Sequence, residues 1–441
     1  MNLNTLHRFR HEVYSCFERA ADALFNTADA LLTETDAHSF PELALSPCFE
    51  RQWPSLYEAF EDGRIDHEAL RQVFVRHMPL PVNGERLWLG VDASSIPRPE
   101  ADTSPDRSVV YVPNQPGSSR PISYGWQFST VVVLPEQPSS WTYVLDQQRI
   151  GPEQKSTQVA AEQLGPITAL LHRQGIRPII ISDRWYGCAP FLLATADLEA
   201  DKLLRVKRNR VFYRAAPPPT GKPGAPRKDG ERFQCSDPAT HGEPDEQWQG
   251  EDEQGHVVEV ACWKGLHLRQ ARQIELTVVR VIRHGASDRP RDPRESWFVW
   301  TGSDLLPLHQ VPTGYKRRYS HEHGYRFDKQ ALLWSTPRLR TPEQFERWTD
   351  VVACVHNQLV LARPLGQACY RPWERRRMVV TPQQVRRAMP RIVAQLGTPA
   401  PPPQPRGKSP GRAKGAHIRP APRYKVVRKP KKKPKQQSAC A

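Results

Sequence analysis

Four residues between positions 315 and 329 share a chemistry and, on a helix, a face. Tyr315, Arg318, Glu322 and Lys329 follow one another at steps of three, four and seven. At ~100° per residue from Tyr315, Arg318 falls near ~300°, Glu322 near ~340° and Lys329 near ~320°. All four lie within a ~60° stripe, and Phe327 at ~120° and Ala331 at ~160° offer an opposite face that can pack. A carboxylate flanked by two cations and a phenol suits phosphate chemistry. The carboxylate holds a metal ion, and Arg318 and Lys329 hold phosphates. The bland alternative is a solvated helix face with i,i+4 ion pairs.

Two further acids stand at expected strand ends. Leu87-Trp88-Leu89-Gly90-Val91 leads into Asp92, and Ile179-Ile180-Ile181-Ser182 into Asp183. Acids there sit at the rim of a sheet, where ligands bind in α/β folds. Singly, an Asp after a strand is more often a turn residue. Asp146, after the apolar run 141–145, is read in that way. His321-Glu322-His323 is not a zinc motif, because the two histidines point to different helix faces. Trp185, Trp248 and Trp263 could stack on a base, although packing is the default for any one of them.

Tyr315, Arg318, Glu322 and Lys329 match the Tyr-x2-Arg-x3-Glu-x6-Lys signature, and in this the chain resembles bacterial insertion-sequence DDE transposases over roughly residues 85–396. Gly90-Val91-Asp92 and Ser182-Asp183-Arg184-Trp185-Tyr186-Gly187 fit the family's two aspartate positions, and the run 406–412 also resembles it. Arg184-Trp185 is bulkier than the pair common there. The resemblance implies an α/β fold with an RNase H-like catalytic core, Asp92 on its first strand, Asp183 after its fourth and Glu322 on a helix. It implies phosphodiester cleavage at transposon ends and joining of the freed 3′-OH to target DNA. Asp92, Asp183 and Glu322 would hold two Mg²⁺ ions, with Mn²⁺ substituting, about 3.5–4 Å apart. Asp92 would bridge them. Arg318 and Lys329 would grip end phosphates, with Tyr315 assisting. The expected partners are double-stranded terminal inverted repeats and target DNA, bound by a homodimer. Two other readings compete: a stand-alone nuclease that shares the acids, and a non-catalytic DNA-binding descendant, in which the acids should be broken.

Several elements must position these residues. Leu6, Phe9, Val13, Phe17, Ala20, Leu24, Ala28 and Leu31 recur at helical spacing, and a second helix is expected over 68–77. Together they make a helical amino-terminal domain, residues 1–80, for end binding or dimerisation. The first part of the core is expected over 81–206, with strands at 87–91, 130–134, 141–145, 179–182 and 202–206 and helices at 158–174 and 188–198. A β-rich insertion follows over 207–301. It opens with a Pro/Gly loop from 217 to about 255, and Lys222, Arg227 and Lys228 in that loop are candidate DNA contacts. Residues 302–397 return to the core as helices at 315–334, 342–362 and 381–396.

The formal net charge is +16, and residues 398–441 carry 13 of those charges with no Asp or Glu. The rest of the chain is therefore nearly balanced. Ten prolines share the tail, so a disordered basic arm that binds DNA nonspecifically is expected. The eight cysteines form no C-x-x-C pair, as in a reduced cytoplasmic protein. No run approaches the ~18 apolar residues of a membrane span, and Met1 to Arg10 has no apolar secretory core. A bacterial, cytoplasmic and nucleoid-associated protein without membrane partners is expected.

Overall fold

The amino-terminal periodicity resolves into two helices. α1 (Leu3–Ser15) buries Leu6, Phe9 and Val13. The chain then extends through β1 (Phe17–Arg19), turns at Ala20 with φ 55° and restarts as α2 (Ala21–Thr33). The left-handed turn at a non-glycine residue costs about 1–2 kcal/mol, and the packed faces on either side offset it. α3 (Phe40–Leu43), α4 (Trp53–Asp62), β2 (Arg64–Ile65) and α5 (His67–His77) complete this head. β1 and β2 pair antiparallel. Asp66 caps α5 by accepting from the Ala69 N–H at 2.9 Å.

The structure is a computed structural model that describes residues 3–82, 85–112, 121–218, 225–286, 293–303, 306–365, 373–374, 380–405, 411, 413–417 and 420–428. After the head come β3 (Trp88–Pro97), β4 (Ser108–Tyr111), β5 (Ile122–Val133), β6 (Tyr143–Ile150), α6 (Ser156–His172), β7 (Ile179–Ser182), α7 (Ala189–Ala194) and β8 (Asp201–Val206). β9 (Val211–Tyr213), β10 (Arg232–Gln234), β11 (Glu246–Glu251), β12 (Val257–Leu268), β13 (Ala271–Arg283) and β14 (Glu295–Thr301) follow. Helices α8 (Gln310–Lys316), α9 (Tyr319–Gln330), α10 (Pro342–Ala362) and α11 (Pro382–Leu396) close the chain.

The fold is mixed α/β, built on one twelve-stranded sheet among the described residues. β3 pairs antiparallel with β5 and parallel with β7, and β7 pairs parallel with β8. β8 then pairs antiparallel with β14, which leads through β13 to β12. The strands of the expected insertion thus extend the same sheet edge to edge. β10 and β11 lie inside the stretch read as a loop.

Helices from both ends of the chain pack together. Buried Arg10 on α1 donates to Asp29 on α2 and Gln358 on α10, both at 2.7 Å. Buried Arg386 on α11 donates to the Leu31 carbonyl at 2.7 Å and the Glu34 carbonyl at 2.6 Å. α10 and α11 each start on a Thr-Pro-x-Gln capping box, at Thr341 and Thr381. On α10, Phe345 packs its ring against Trp126 and Phe128 of β5.

One short stretch of the tail, residues 424–427, meets the sheet. The N–H groups of Tyr424 and Val427 donate to the carbonyls of Asp102 and Arg107, each at 2.7 Å. Val427 bridges Ser108 on β4 in parallel. Tyr424 and Val427 of the basic arm are thus bonded to the sheet. The Tyr424-Lys425-Val426-Val427 run is aromatic and β-branched, and β4 offers it an unpaired edge.

Candidate active site

Asp92 is not at a strand end. β3 runs on to Pro97, and Asp92 faces Thr130 of β5 in mid-strand. What ends there is β7, whose last parallel partner pair is Val91 and Ser182. Asp183 therefore leaves β7 in the register step beside Asp92, one parallel strand spacing of ~4.8 Å away. Asp183 turns at once, and its carboxylate accepts the Trp185 N–H at 2.8 Å. Asp92 accepts the N–H of Ala93 at 2.9 Å.

The helix carrying the quartet is jointed. α8 ends at Lys316 and α9 begins at Tyr319. Between them the N–H groups of Arg317, Arg318, Ser320 and His321 bond three residues back, as in a 3₁₀ turn. Arg317 and Arg318 keep helical dihedrals, so the periodicity gives no sign of the joint. Two glycines let these helices approach closely. A Cβ at Gly314 would stand 2.4 Å from the Trp88 ring of β3, and one at Gly324 would stand 2.5 Å from the Thr142 hydroxyl.

This placement brings Glu322 to Asp92 through Arg318. The guanidinium donates to Glu322 at 3.1 Å and to Asp92 at 3.3 Å. Tyr325, one turn beyond Glu322, donates its hydroxyl to the Asp92 carbonyl at 3.0 Å. Lys329 reaches the Ser95 carbonyl at 2.8 Å. Tyr315 is buried beside the Phe298 ring of β14, with centroids 4.7 Å apart. The quartet therefore splits. Arg318 and Glu322 meet the acids, Lys329 lies further along β3, and Tyr315 packs behind them.

Burial and crowding set the electrostatics. Burial pushes Asp92 up to about 6, against the pull of Arg318, and the negative charges of Asp183 and Glu322 add to the push. Burial draws Lys329 down to about 8, opposed by Asp328 and Asp92. For Arg318 burial acts downward, but Asp92, Tyr315, Asp183 and Glu322 outweigh it and lock the guanidinium in its charged form. Burial, then Arg318 and His356, draws His321 down to about 3, so it is neutral at pH 7. His356 anchors α9 from behind, with its Nδ1 2.6 Å from Asp328 and its Nε2 2.8 Å from the Thr142 carbonyl.

Carboxylates are the oxygen donors a hard dication prefers, and a positive charge beside Asp92 would relieve the crowding on it. Among the described residues, no three His, Cys, Asp or Glu side chains stand close enough to share one ion. Arg318 lies between two of the acids and balances their charge from within the chain.

Other candidates fall elsewhere. Lys222 lies outside the described residues. Arg227 and Lys228 are exposed, beside Asp229, which Arg272 clasps with two bonds of 2.6 and 2.7 Å. His267 of β12 also meets Asp229, and β12 lies five strands from β3, roughly 24 Å at ~4.8 Å per strand. Asp146 is buried and tied to His67 at 2.7 Å, a structural role. His321 is buried while His323 is exposed. Trp263 is buried against Trp297, and Trp185 stands 60% exposed beside Asp183. Tyr325 and His356 were not singled out in the sequence. The signal for Tyr325 was its i+3 position from Glu322.

Among the described residues, no helix is long and apolar enough to cross a membrane. No curated protein matches the chain. The sequence model described as DDE superfamily endonuclease matches residues 12–269, more than half of the chain. The match takes in α2 to α5, Asp92 and Asp183, and it stops before Glu322. The chain belongs to the DDE superfamily endonuclease family.

Proposed function

We propose that the chain is a DDE transposase that cuts transposon-end DNA and joins the freed 3′-OH to target DNA. The observation that carries the reading is the Arg318 fork, which draws Glu322 to Asp92 beside Asp183. Glu322 lies beyond the residues matched to the family, so its place in the site rests on this geometry. The strand order β6-β5-β3-β7-β8, with three antiparallel strands followed by two parallel ones, supports an RNase H-like core.

Asp92, Asp183 and Glu322 would hold two Mg²⁺ ions, with Mn²⁺ able to substitute. Metal ions so held would supply activation of the attacking oxygen and stabilisation of the leaving one. The chain's own residues do the rest. Asp92 is ionised above pH ~6 and so is ready as a ligand at neutral pH. Tyr325 fixes α9 against β3, and Gly324 lets α9 approach Thr142, just before β6. Arg318, freed from its two carboxylates, can turn to a phosphate oxygen, and Lys329 can reach the next phosphate along the strand. Water displaces the 3′ oxygen at the transposon end, and that 3′-OH then attacks a target phosphodiester. One site serves both in-line displacements. The partners in this reading are terminal inverted repeats and target DNA, bound by a homodimer in which two ends meet.

The test is an in vitro reaction with a donor plasmid carrying the DNA that flanks the gene. Nicked ends followed by strand-transfer products support the transposase. Nicking without joining reduces the chain to a nuclease.

A further inference from the structure

The outer face of α1 carries a histidine pair that the acidic site does not use. His7 and His11 stand at i and i+4, so they project side by side from one face of the helix. The opposite face is buried through Leu6, Phe9 and Val13, and both imidazoles are exposed. The rings meet rather than splay. Their centroids are 4.3 Å apart, and the Nε2 of one stands 3.1 Å from the Nε2 of the other. As a hydrogen bond this contact demands opposite tautomers, with one Nε2 carrying a proton and the other bare. Desolvation, then the charges of His7 and Arg10, lower His11 and favour its neutral form.

Two ring nitrogens at this separation have a second use. An imidazole nitrogen binds zinc at about 2.0–2.1 Å. Two such bonds enclosing an angle between ~90° and ~109° set their nitrogens about 2.9–3.4 Å apart. The observed 3.1 Å falls inside that span. We propose that His7 and His11 chelate one borderline transition dication, of the Zn²⁺, Cu²⁺ or Ni²⁺ class, through their Nε2 atoms, with water at the remaining positions. Neutral nitrogen donors suit these ions, whereas Mg²⁺ prefers oxygen. Exposure lets the ion enter without opening the fold. Among the described residues no third His, Cys, Asp or Glu joins the pair, so the site is a two-point clip on one helix and not a cage. An ion so bound pins the turn that carries Arg10, whose guanidinium ties α1 to Asp29 and Gln358. The site is separate from the three acids and does not rest on the reading of the chain as a transposase.

The experiment titrates Zn²⁺ into the full chain by calorimetry, with and without millimolar Mg²⁺. Wild type and Asp92→Asn are both expected to show a binding event for which Mg²⁺ does not compete. His7→Ala and His11→Ala are each expected to weaken that event at least ~10-fold, because a chelate loses one of its two anchors. Both positions are exposed, so neither substitution opens the core. With Cu²⁺ as the probe, electron paramagnetic resonance is expected to show coupling to two imidazole nitrogens in wild type and to fewer in either variant. Hydrogen exchange along α1 is expected to slow on adding Zn²⁺ in wild type and not in the variants. Unchanged Zn²⁺ affinity in either histidine variant would overturn the proposal. An event lost in Asp92→Asn and kept in His11→Ala would move the ion to the acids and overturn it equally. Displacement by Mg²⁺ would overturn the class of ion.

Discussion

Arg318 donates to Asp92 at 3.3 Å, from the joint between α8 and α9 to the middle of β3. The same guanidinium reaches Glu322 at 3.1 Å. One side chain thus holds together two acids that are 230 positions apart in the sequence. It is the counter-charge of both.

Arg318→Gln should therefore leave three acids facing one another. The expected loss of stability is about 3 kcal/mol, in the range for a broken buried pair. Millimolar Mg²⁺ or Mn²⁺ should restore part of it, because a dication can take over the balancing charge. Urea unfolding with and without the metal measures both effects, and an unchanged midpoint would count against the role.

Asp92 gives a pH signature. Its value is about 6 in the folded state against the ordinary carboxyl value of 3.8, so the folded chain binds the extra proton between those limits. Stability should fall as pH rises through that window. Asp92→Asn removes the titration. It should match wild type near pH 4 and exceed it above pH 6, by up to roughly 3 kcal/mol. Thermal melts at pH 4, 5, 6 and 7.5 would trace the gap, and a gap that opens toward acid would contradict the assignment.

His356 and Asp328 lock the back of α9. Burial acts downward on His356, but Asp328 and the Thr142 carbonyl outweigh it and its value is raised. A raised histidine contributes stability that is complete below the unfolded value and is lost as pH climbs through the folded one. Asp328→Asn should cost about 3–5 kcal/mol near pH 6, with a smaller difference in alkali. Denaturation at both pH values checks this, and a difference that grows in alkali would refute it.

The legible parts of this fold were those with purely local causes. The run 179–182 is wholly apolar, and the structure returns it as β7 without a change of boundary. α10 begins on the residue that the Thr341 capping box dictates. The parts that stayed hidden depend on long-range pairing. Asp92 read as a strand end because the apolar run stops there, yet Thr130 across the ladder keeps β3 going. The joint at Arg317 leaves helical dihedrals in place and so leaves the periodicity intact. Tyr424 to Val427 carry cations and neighbouring prolines, and only the β4 edge reveals why they are ordered. For Arg318, residue type and spacing pointed to a phosphate ligand. The ion pairs to Asp92 and Glu322 could be seen only once β3 and α9 were side by side.

The central claim is that Asp92, Asp183 and Glu322 act as one DNA-cutting set, and it is tested most directly by scoring end cleavage with Mg²⁺ in Asp92→Asn, Asp183→Asn and Glu322→Gln, each checked for an intact fold by circular dichroism. The expected result is loss of at least about 100-fold in all three, while DNA binding persists. Cleavage at the wild-type rate in any one of them would remove that residue from the site, and in Glu322→Gln it would contradict the three-acid account itself.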